Sequence, residues 1–181
     1  MFKQIKYIFL FSFMLFGFSI YAQKSGGTLV YLVQPEPPSM ASYISTSGPI
    51  GLVAPKIYEG LFDYDNDGQI VHVLAAGHTV SNDGKTVTFN LRKGVKWHDG
   101  KPFTSDDVAF TVMNVLKKFH PRGPNSFREV TRIDTPDSHT AIFKLRKPAP
   151  YMLRALSAYE SPIVPKHHLE GTDIKSAKLG N

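Results

Sequence analysis

The chain has 181 residues, 42% of them hydrophobic and 12% aromatic, which is enough to bury the core of one globular domain and argues against a disordered chain. Lys and Arg outnumber Asp and Glu by 21 to 15, so the formal net charge is +6. The basic residues stand singly or in pairs, whereas a nucleic-acid-binding surface needs clustered positive charge. We therefore expect no nucleic-acid partner.

Residues 1–22 have the pattern of a cleaved signal peptide. Lys3 and Lys6 precede an almost wholly apolar stretch, and Ala22 supplies a small residue before Gln23. The alternative is a membrane anchor, but the uncharged stretch is shorter than the roughly 20 residues that a spanning helix needs. We interpret residues 1–22 as an export signal and residues 23–181 as the segment that follows it.

The chain contains no cysteine. We therefore expect neither a disulfide framework nor a lipid anchor, which would require a cysteine at the cleavage point. A free periplasmic protein is the simplest expectation.

The first predicted elements after the signal are a strand, a loop and a helix. Thr28–Val33 is a β-branched and aromatic run of strand length, which ends at a group of prolines. Residues 39–47 are rich in Ser, Thr and Tyr and are predicted to form a loop over the end of that strand. Apolar residues at helical spacing predict a short amphipathic helix over residues 50–58, ending at Gly60.

Three turn signals follow, and they predict antiparallel hairpins. Gly68, Gly84 and Gly100 each follow Asp and stand where a tight turn needs positive φ. Glycine adopts positive φ without steric cost because it has no Cβ. In residues 85–91, Val87, Phe89 and Leu91 alternate with polar residues. This alternation predicts a strand with one buried face.

The clearest predicted helix covers residues 105–119. Thr104 is a suitable N-cap, and Asp107 stands three residues further on, as in a capping box. The predicted buried stripe consists of Val108, Val112, Val115, Leu116 and Phe119. A strand at residues 140–145 and a helix at residues 150–158 complete a mixed α and β pattern.

The sequence predicts neither a metal site nor a catalytic site. His167 and His168 are the only adjacent pair among the seven histidines, and side chains at successive helical positions should point apart. Asp63–Gly68 resembles the start of a calcium loop, but Leu74 stands where the bidentate Glu should be. No esterase or zinc-protease motif is present, so no catalytic residue and no cofactor are expected.

The run from Leu74 to Val108 resembles the signature region of the family 5 extracellular solute-binding proteins, the dipeptide, oligopeptide and nickel receptors of ABC importers. Shorter matches stand in the expected order at Gly26–Val30, Ile57–Leu61 and Ile163–His167. One departure is His78, where the family commonly places a Trp.

The resemblance implies an α/β, periplasmic-binding-protein-like receptor with two lobes that close on ligand like a Venus flytrap. Family members are considerably longer than 181 residues, so the chain is expected to be the N-terminal part of such a receptor. The implied function is the periplasmic substrate-binding component of an ABC importer. It would act as a monomer, take small peptides or similar solutes, and deliver them to permease subunits in the inner membrane. The alternatives are an exported hydrolase and a chaperone or sensor on the same fold.

Ligand contacts are predicted in two places, because ligands in such folds lie beyond the carboxyl ends of strands. The first is the loop after the first predicted strand, with candidates Glu36, Ser39, Tyr43, Ser45 and Ser47. The second is Tyr159 with Glu160, an aromatic beside a carboxylate that could hold a ligand amine. The alternative for both groups is an ordinary solvated loop.

We predict that export is followed by cleavage between Ala22 and Gln23. The N-terminus of the exported protein, determined by Edman or mass-spectrometric sequencing, is expected to be Gln23. Recovery of an intact Met1 from the periplasm, or of protein in the inner membrane alone, would contradict the prediction.

Overall fold

The structure is a computed structural model that describes residues 26–177. The predicted signal peptide, residues 1–22, lies outside the described residues. The chain divides after Leu32 into two units, which are described separately. No helix in the described part of the chain is long and apolar enough to cross a bilayer.

The strand predicted at Thr28–Val33, which falls in the first unit except for Val33, is wrong. Residues 26–33 have no regular secondary structure, and the side chains of Leu29 and Val30 are 87% and 90% exposed. A β-branched sequence fits a pleated and half-buried surface, but it forms a strand only when a neighbouring strand completes its hydrogen bonds. No strand ladder among the described residues includes this segment.

The second unit begins with short helical turns. A 3-10 turn at Ser42–Ile44 lies within the predicted loop. Helix α1 spans Gly48–Val53, and a second 3-10 turn follows at Ala54–Lys56. The predicted helix is therefore confirmed, but its second half is tighter than expected. Pro55 has no N–H and cannot continue the α-helical hydrogen bonds, which accounts for the change.

Strands β1 (Phe62–Tyr64) and β2 (Ile70–His72) form the first predicted hairpin. The Asp65 carboxylate accepts hydrogen bonds from two backbone N–H groups of the turn (3.0 and 2.8 Å), and Gly68 has φ 73°. The acidic residues of this segment thus build a turn, as the sequence favoured over a calcium loop.

The main sheet has four strands, all paired antiparallel, in the order β3-β4-β6-β5. Their bounds are Ala75–Val80 (β3), Thr86–Leu91 (β4), Val130–Asp137 (β5) and Thr140–Leu145 (β6). Both predicted strands in this sheet, β4 and β6, are confirmed.

One face of the sheet is buried, as the alternation in β4 predicted. Val87, Phe89 and Leu91 are buried, and Val87 and Phe89 stand opposite Phe143 and Ala141 of β6. The rings of Phe89 and Phe143 meet edge to face, with centroids 4.9 Å apart. These cross-strand pairs fix the register, because a shift by one residue would expose the whole apolar face.

The long predicted helix is confirmed between residues 105 and 119. It comprises α2 (Ser105–Phe110), a π-helical segment (Thr111–Leu116) and α3 (Lys117–Phe119). It begins after Thr104 with the predicted capping box. The π-helical segment was not predicted, since no Pro or Gly marks it.

The π-helical segment coincides with two tertiary contacts. The Thr111 hydroxyl donates to the carbonyl of Val164 (3.3 Å) and accepts the N–H of the same residue (3.1 Å).

At the end of the helix, a side chain on Gly123 would place its Cβ 1.9 Å from the Leu116 carbonyl oxygen. Glycine is therefore required where α4 (Gly123–Ser126) begins.

Two short helices complete the fold, α5 (Tyr151–Arg154) and α6 (Lys166–Leu169). The helix predicted over residues 150–158 is wrong in length. The chain leaves the helical path because the Leu156 carbonyl accepts the N–H of Phe62 (3.1 Å), which attaches this segment to β1.

The main core lies between the four-stranded sheet and the long helix. Its largest fully buried side chains are Tyr43, Phe62, Phe89, Phe127, Phe143, Leu61, Leu116, Met152, Leu156, Ile163, Leu169 and Val108. Trp97 packs against this core while remaining partly exposed. Of the predicted helical stripe, all but Phe119 are fully buried.

His78 occupies the position where a Trp was expected, and it packs against another histidine. Its Nδ1 lies 3.2 Å from Nε2 of His72, and both rings lie 5.1 Å from the ring of Phe62. Burial, and secondarily the neighbouring His72, lowers the pKa of His78. The imidazole pair thus fills the space beneath the hairpin.

We predict that Gly84→Val lowers the free energy of unfolding by about 1 kcal/mol or more, because Gly84 has φ 66° and a β-branched residue is strained there. The added Cβ would also meet Pro148 at 3.0 Å. Gly77→Val is the matched control, since a Cβ at Gly77 meets nothing within 4 Å. Urea unfolding midpoints measure both. Unchanged stability with reduced ligand affinity would instead make this hairpin part of the binding site.

Candidate functional site

The polar residues of the first predicted group lie in a loop that leads into α1. Glu36 and Ser39 are exposed, and Ser45 and Ser47 are half-buried. The hydroxyl oxygens of Ser39 and Ser45 accept backbone N–H groups two residues further on, at 3.3 and 3.2 Å. These local bonds order the loop and leave each hydroxyl proton free to donate to a ligand.

Tyr43, from the same group, is fully buried in the main core. Its hydroxyl donates to the carbonyl of Ala177 (3.1 Å), so it fastens the loop to the end of the described chain. Burial, with a smaller contribution from nearby Tyr58, raises the pKa of Tyr43 to about 12. In this structure Tyr43 supports the loop from beneath and is not presented to solvent.

Tyr159, from the second predicted group, lies against α1. A Cβ added at Gly51 would sit 2.5 Å from Cε2 of Tyr159, so the ring covers the helix backbone at this glycine. The N–H of Gly51 donates to the carbonyl of Ser47 (2.9 Å). Tyr159 therefore packs on the helix that follows the loop of the first group, and almost half of its surface is exposed.

Glu160 is paired with a cation that the sequence analysis missed. Its Oε1 accepts a hydrogen bond from Nη1 of Arg122, and the two side chains are 26% and 51% exposed. The same segment carries buried His120, whose Nδ1 accepts the N–H of Arg122 (3.3 Å). Burial is the main cause of the lowered pKa of His120; Glu160 opposes the shift and Arg122 adds to it.

The backbone beside β1 holds this surface in place. The N–H of Ile163 donates to the carbonyl of Glu59 (2.9 Å), and Phe62 forms a parallel bridge with Ser157. A Cβ at Gly60 would lie 2.5 Å from the backbone N of Ala158, so glycine permits the close approach of the two segments. We call the surface formed by Arg122, Tyr159 and Glu160, where Tyr159 packs on α1, the α1 surface.

A separate cavity of about 290 Å³ lies beside Trp97 and contains none of the predicted ligand residues. It is lined by Leu74, Val95, Phe103 and Ile163 together with the segments 55–59 and 96–98. Its volume falls at the small end of the range for ligand pockets. We attribute the cavity to the junction between the Trp97 turn and the segment after α1.

The buried carboxylate of Asp107 joins three segments near that turn. One oxygen, Oδ2, accepts the N–H of Thr104 (2.8 Å) and the indole N–H of Trp97 (3.3 Å). The other, Oδ1, accepts the N–H of Lys166 at the start of α6 (2.8 Å). The side chain that caps the long helix therefore also positions the Trp97 turn and α6.

The expectation that His167 and His168 point apart is wrong. Both Nε2 atoms face Oδ2 of Asp99, at 2.8 and 3.7 Å, and the two rings meet at 4.6 Å between centroids. Helix α6 has only four residues, and Asp99 approaches from a turn outside it. The carboxylate lies between the directions of the two side chains, so both imidazoles reach it.

Comparisons with known proteins define the class. A family model described as bacterial extracellular solute-binding proteins, family 5 middle, matches residues 69–181. The chain is 33% identical over 136 residues to the glutathione-binding protein GsiB of Salmonella choleraesuis, which covers 71% of this chain and 26% of GsiB. The chain belongs to the family 5 extracellular solute-binding proteins, and the family identification made from the signature is confirmed.

Two solved structures are similar in fold. AgaA of A. tumefaciens R10, solved with agropinic acid, has a TM-score of 0.64 at 34% identity. The match covers 73% of this chain and 27% of AgaA. The oligopeptide-binding protein AppA of Bacillus subtilis, solved with a nonapeptide, has a TM-score of 0.68 at 27% identity. The match covers 77% of this chain and 28% of AppA. The α/β, periplasmic-binding-protein-like fold class is thereby confirmed, and the chain spans about a quarter of the length of these relatives.

We predict that Asp107→Ala lowers the free energy of unfolding by about 3 kcal/mol, because it leaves four donors on three residues without their acceptor at a buried site. The control is Asp106→Ala, which removes an adjacent carboxylate that is largely exposed and forms only surface contacts with Thr135 and Lys166. It should cost about 0.5 kcal/mol. Equal losses in chemical denaturation would show that the buried carboxylate does not join the three segments.

Proposed function

We propose that the chain is part of the substrate-binding component of an ABC importer that takes peptides or peptide-like solutes. The observation that carries the proposal is its membership of family 5, together with likeness to AppA, which was solved with a nonapeptide. The glutathione-binding GsiB, a relative at 33% identity, supports the same class of solute.

The chemistry of the α1 surface suits a ligand that carries both an amine and a carboxylate. The guanidinium of Arg122 can receive a carboxylate, and Glu160 can receive an ammonium group. Because the Arg122–Glu160 pair is partly exposed, it gains little from its own contact, and each partner can exchange it for a ligand group at small cost. Tyr159 offers an exposed aromatic face beside the pair.

The loop before α1 supplies neutral polar groups for the backbone of an extended ligand. Such ligands are held chiefly by hydrogen bonds to their main chain, with side-chain pockets that set specificity. Ser45 and Ser47 immediately precede α1, on which Tyr159 packs, and the exposed residues Glu36 and Ser39 stand earlier in the same loop. Tyr43 takes the role of anchoring this loop through its bond to Ala177.

The location and partners follow from the same proposal. Residues 1–22 direct export and are removed, and residues 23–181 form the N-terminal part of a periplasmic, monomeric receptor. The second lobe would close on the solute, and closure around a ligand excludes water from the polar contacts. The loaded receptor delivers the solute to permease subunits in the inner membrane.

Binding without catalysis fits the described residues better than the hydrolase alternative. Ser138 Oγ and His139 Nδ1 lie 2.9 Å apart, but the Asp137 carboxylate accepts the backbone N–H of His139 (2.7 Å). A nucleophile and base pair needs a third group that orients the imidazole itself. The chaperone or sensor alternative shares the fold and differs in its partner: an importer receptor delivers its solute to permease subunits, whereas a chaperone binds unfolded proteins.

We predict that Glu160→Gln weakens solute binding about tenfold, because it replaces a charge-assisted hydrogen bond with a neutral one. Native mass spectrometry of the full protein should first identify retained solutes. Isothermal titration with glutathione and with unmodified di- to pentapeptides then measures affinity. Tyr159→Ala should also weaken binding, whereas Glu170→Gln, a change to an exposed carboxylate on another part of the surface, should leave it unchanged.

Three outcomes would contradict the proposal. Equal affinity in Glu160→Gln and Glu170→Gln would remove the α1 surface from the binding site. Mass-spectrometric detection of peptide cleavage would favour the hydrolase. Tight binding of unfolded proteins, with no binding of small solutes, would favour the chaperone.

A further inference from the structure

Three side chains from two distant parts of the chain place metal-ligand atoms together. The carboxylate Oδ2 of Asp99 and the Nε2 atoms of His167 and His168 meet on the outside of the fold. One ligand atom from each side chain lies within 4.8 Å of the others. Two imidazoles with one carboxylate are a donor set that suits zinc, copper and nickel ions.

The spacing of these atoms is close to that of a tetrahedral site. A zinc ion holds imidazole nitrogen and carboxylate oxygen at about 2.0–2.2 Å, so adjacent ligand atoms in a tetrahedron stand about 3.3–3.5 Å apart. The two separations in the structure, 2.8 Å from His167 and 3.7 Å from His168 to Asp99, bracket this value. The ligand nitrogens of the two histidines lie within 4.8 Å of each other, so the three donors can approach one ion by adjustment of the exposed side chains.

Both halves of the cluster are supported from behind. The turn that carries Asp99 is closed by a hydrogen bond from Trp97 N–H to the Lys101 carbonyl (2.8 Å), and Oδ1 of Asp99 accepts the N–H of Lys101 (3.1 Å). This leaves Oδ2 directed at the histidines. Helix α6 is held at its start by Asp107 and at its end by the fully buried Leu169. Preorganised ligands lose little conformational freedom when an ion binds.

One cation competes for the carboxylate. The ammonium group of Lys101 lies 3.7 Å from Oδ2 of Asp99, but its side chain is largely exposed. An exposed lysine can swing into solvent at small cost, so it does not block an ion from this position.

We propose that Asp99, His167 and His168 bind a divalent transition-metal ion of the zinc class, with water at the solvent-facing position. The ion would cross-link the Trp97 turn to α6. The proposed ion site shares no residue with the α1 surface, and the proposal does not depend on the solute that the protein carries. An ion here would have a structural effect on the fold that is measurable without any solute.

A second histidine pair provides an internal comparison. The nitrogens of His72 and His78 lie 3.2 Å apart, a separation between the two distances from His167 and His168 to Asp99. Among the described residues, however, no carboxylate or further histidine joins them to make a three-ligand group. The third donor therefore distinguishes the proposed site from an ordinary pair of packed imidazoles.

The test is titration of the full protein, prepared without a polyhistidine tag, with Zn²⁺ alone. We expect one equivalent to bind at micromolar concentration and to raise the melting temperature. Co²⁺ should give the intense visible absorption of a tetrahedral complex. Asp99→Asn, His167→Ala and His168→Ala should each weaken Zn²⁺ binding at least about tenfold, which is no less than the loss expected for an outer-shell partner. Asp99→Asn keeps the acceptor for the Lys101 N–H, so the turn should remain folded.

His139→Ala and His78→Ala are the matched controls. His139 is a half-buried histidine on another turn, and its loss should leave Zn²⁺ affinity unchanged. Absence of binding by the unmodified protein at about a hundredfold higher Zn²⁺ than expected would overturn the proposal. It would also be overturned if His78→Ala abolished binding while His167→Ala did not. Circular dichroism of each variant separates loss of a ligand from loss of the fold.

Discussion

The buried carboxylate of Asp107 is the interaction on which the arrangement of the segments depends. It is 4% exposed, and its oxygens accept hydrogen bonds from the start of the long helix, the Trp97 turn and the start of α6. A buried carboxylate is costly unless donors surround it, so the three segments must stay together for the charge to be tolerated. This constraint places the turn of Asp99 opposite α6, and thereby creates the cluster with His167.

The α1 surface has the opposite physical character. Its ion pair is partly exposed, and Tyr159 rests on a glycine without a side chain to interlock with. Contacts of this kind hold their partners weakly, so the groups can reorganise without disturbing the core, as the proposed binding of a solute requires. The fold therefore combines a rigid polar junction at Asp107 with an adaptable polar surface at α1. A receptor needs both properties, because it must keep its shape while its contacts are exchanged.

Local patterns predicted most of the fold, and contacts between distant residues explain what they missed. The alternation around Phe89 and the capping box at Thr104 are complete within a few residues, so the sequence suffices for them. The strand at Thr28–Val33 failed because a strand requires a neighbour that its own residues do not specify. The pairs Arg122–Glu160 and Asp99–His167 span 38 and 68 residues, and no local signal marks either one. Tyr43 was predicted from a polar loop, although its ring belongs to the core.

The residues that carry the family resemblance form the core, which explains why a strong resemblance says little about the solute. The signature, from Leu74 to Val108, forms β3, β4, the Trp97 turn and the capped start of the long helix. Its apolar side chains pack in the core. GsiB is named for glutathione, AgaA was solved with agropinic acid and AppA with a nonapeptide. Each nevertheless resembles this same part of the chain. A scaffold that serves all three cannot encode the choice among them. We therefore expect solute choice to depend on residues outside the packed signature, and the proposed contacts at Tyr159, Glu160 and the loop before α1 lie outside it.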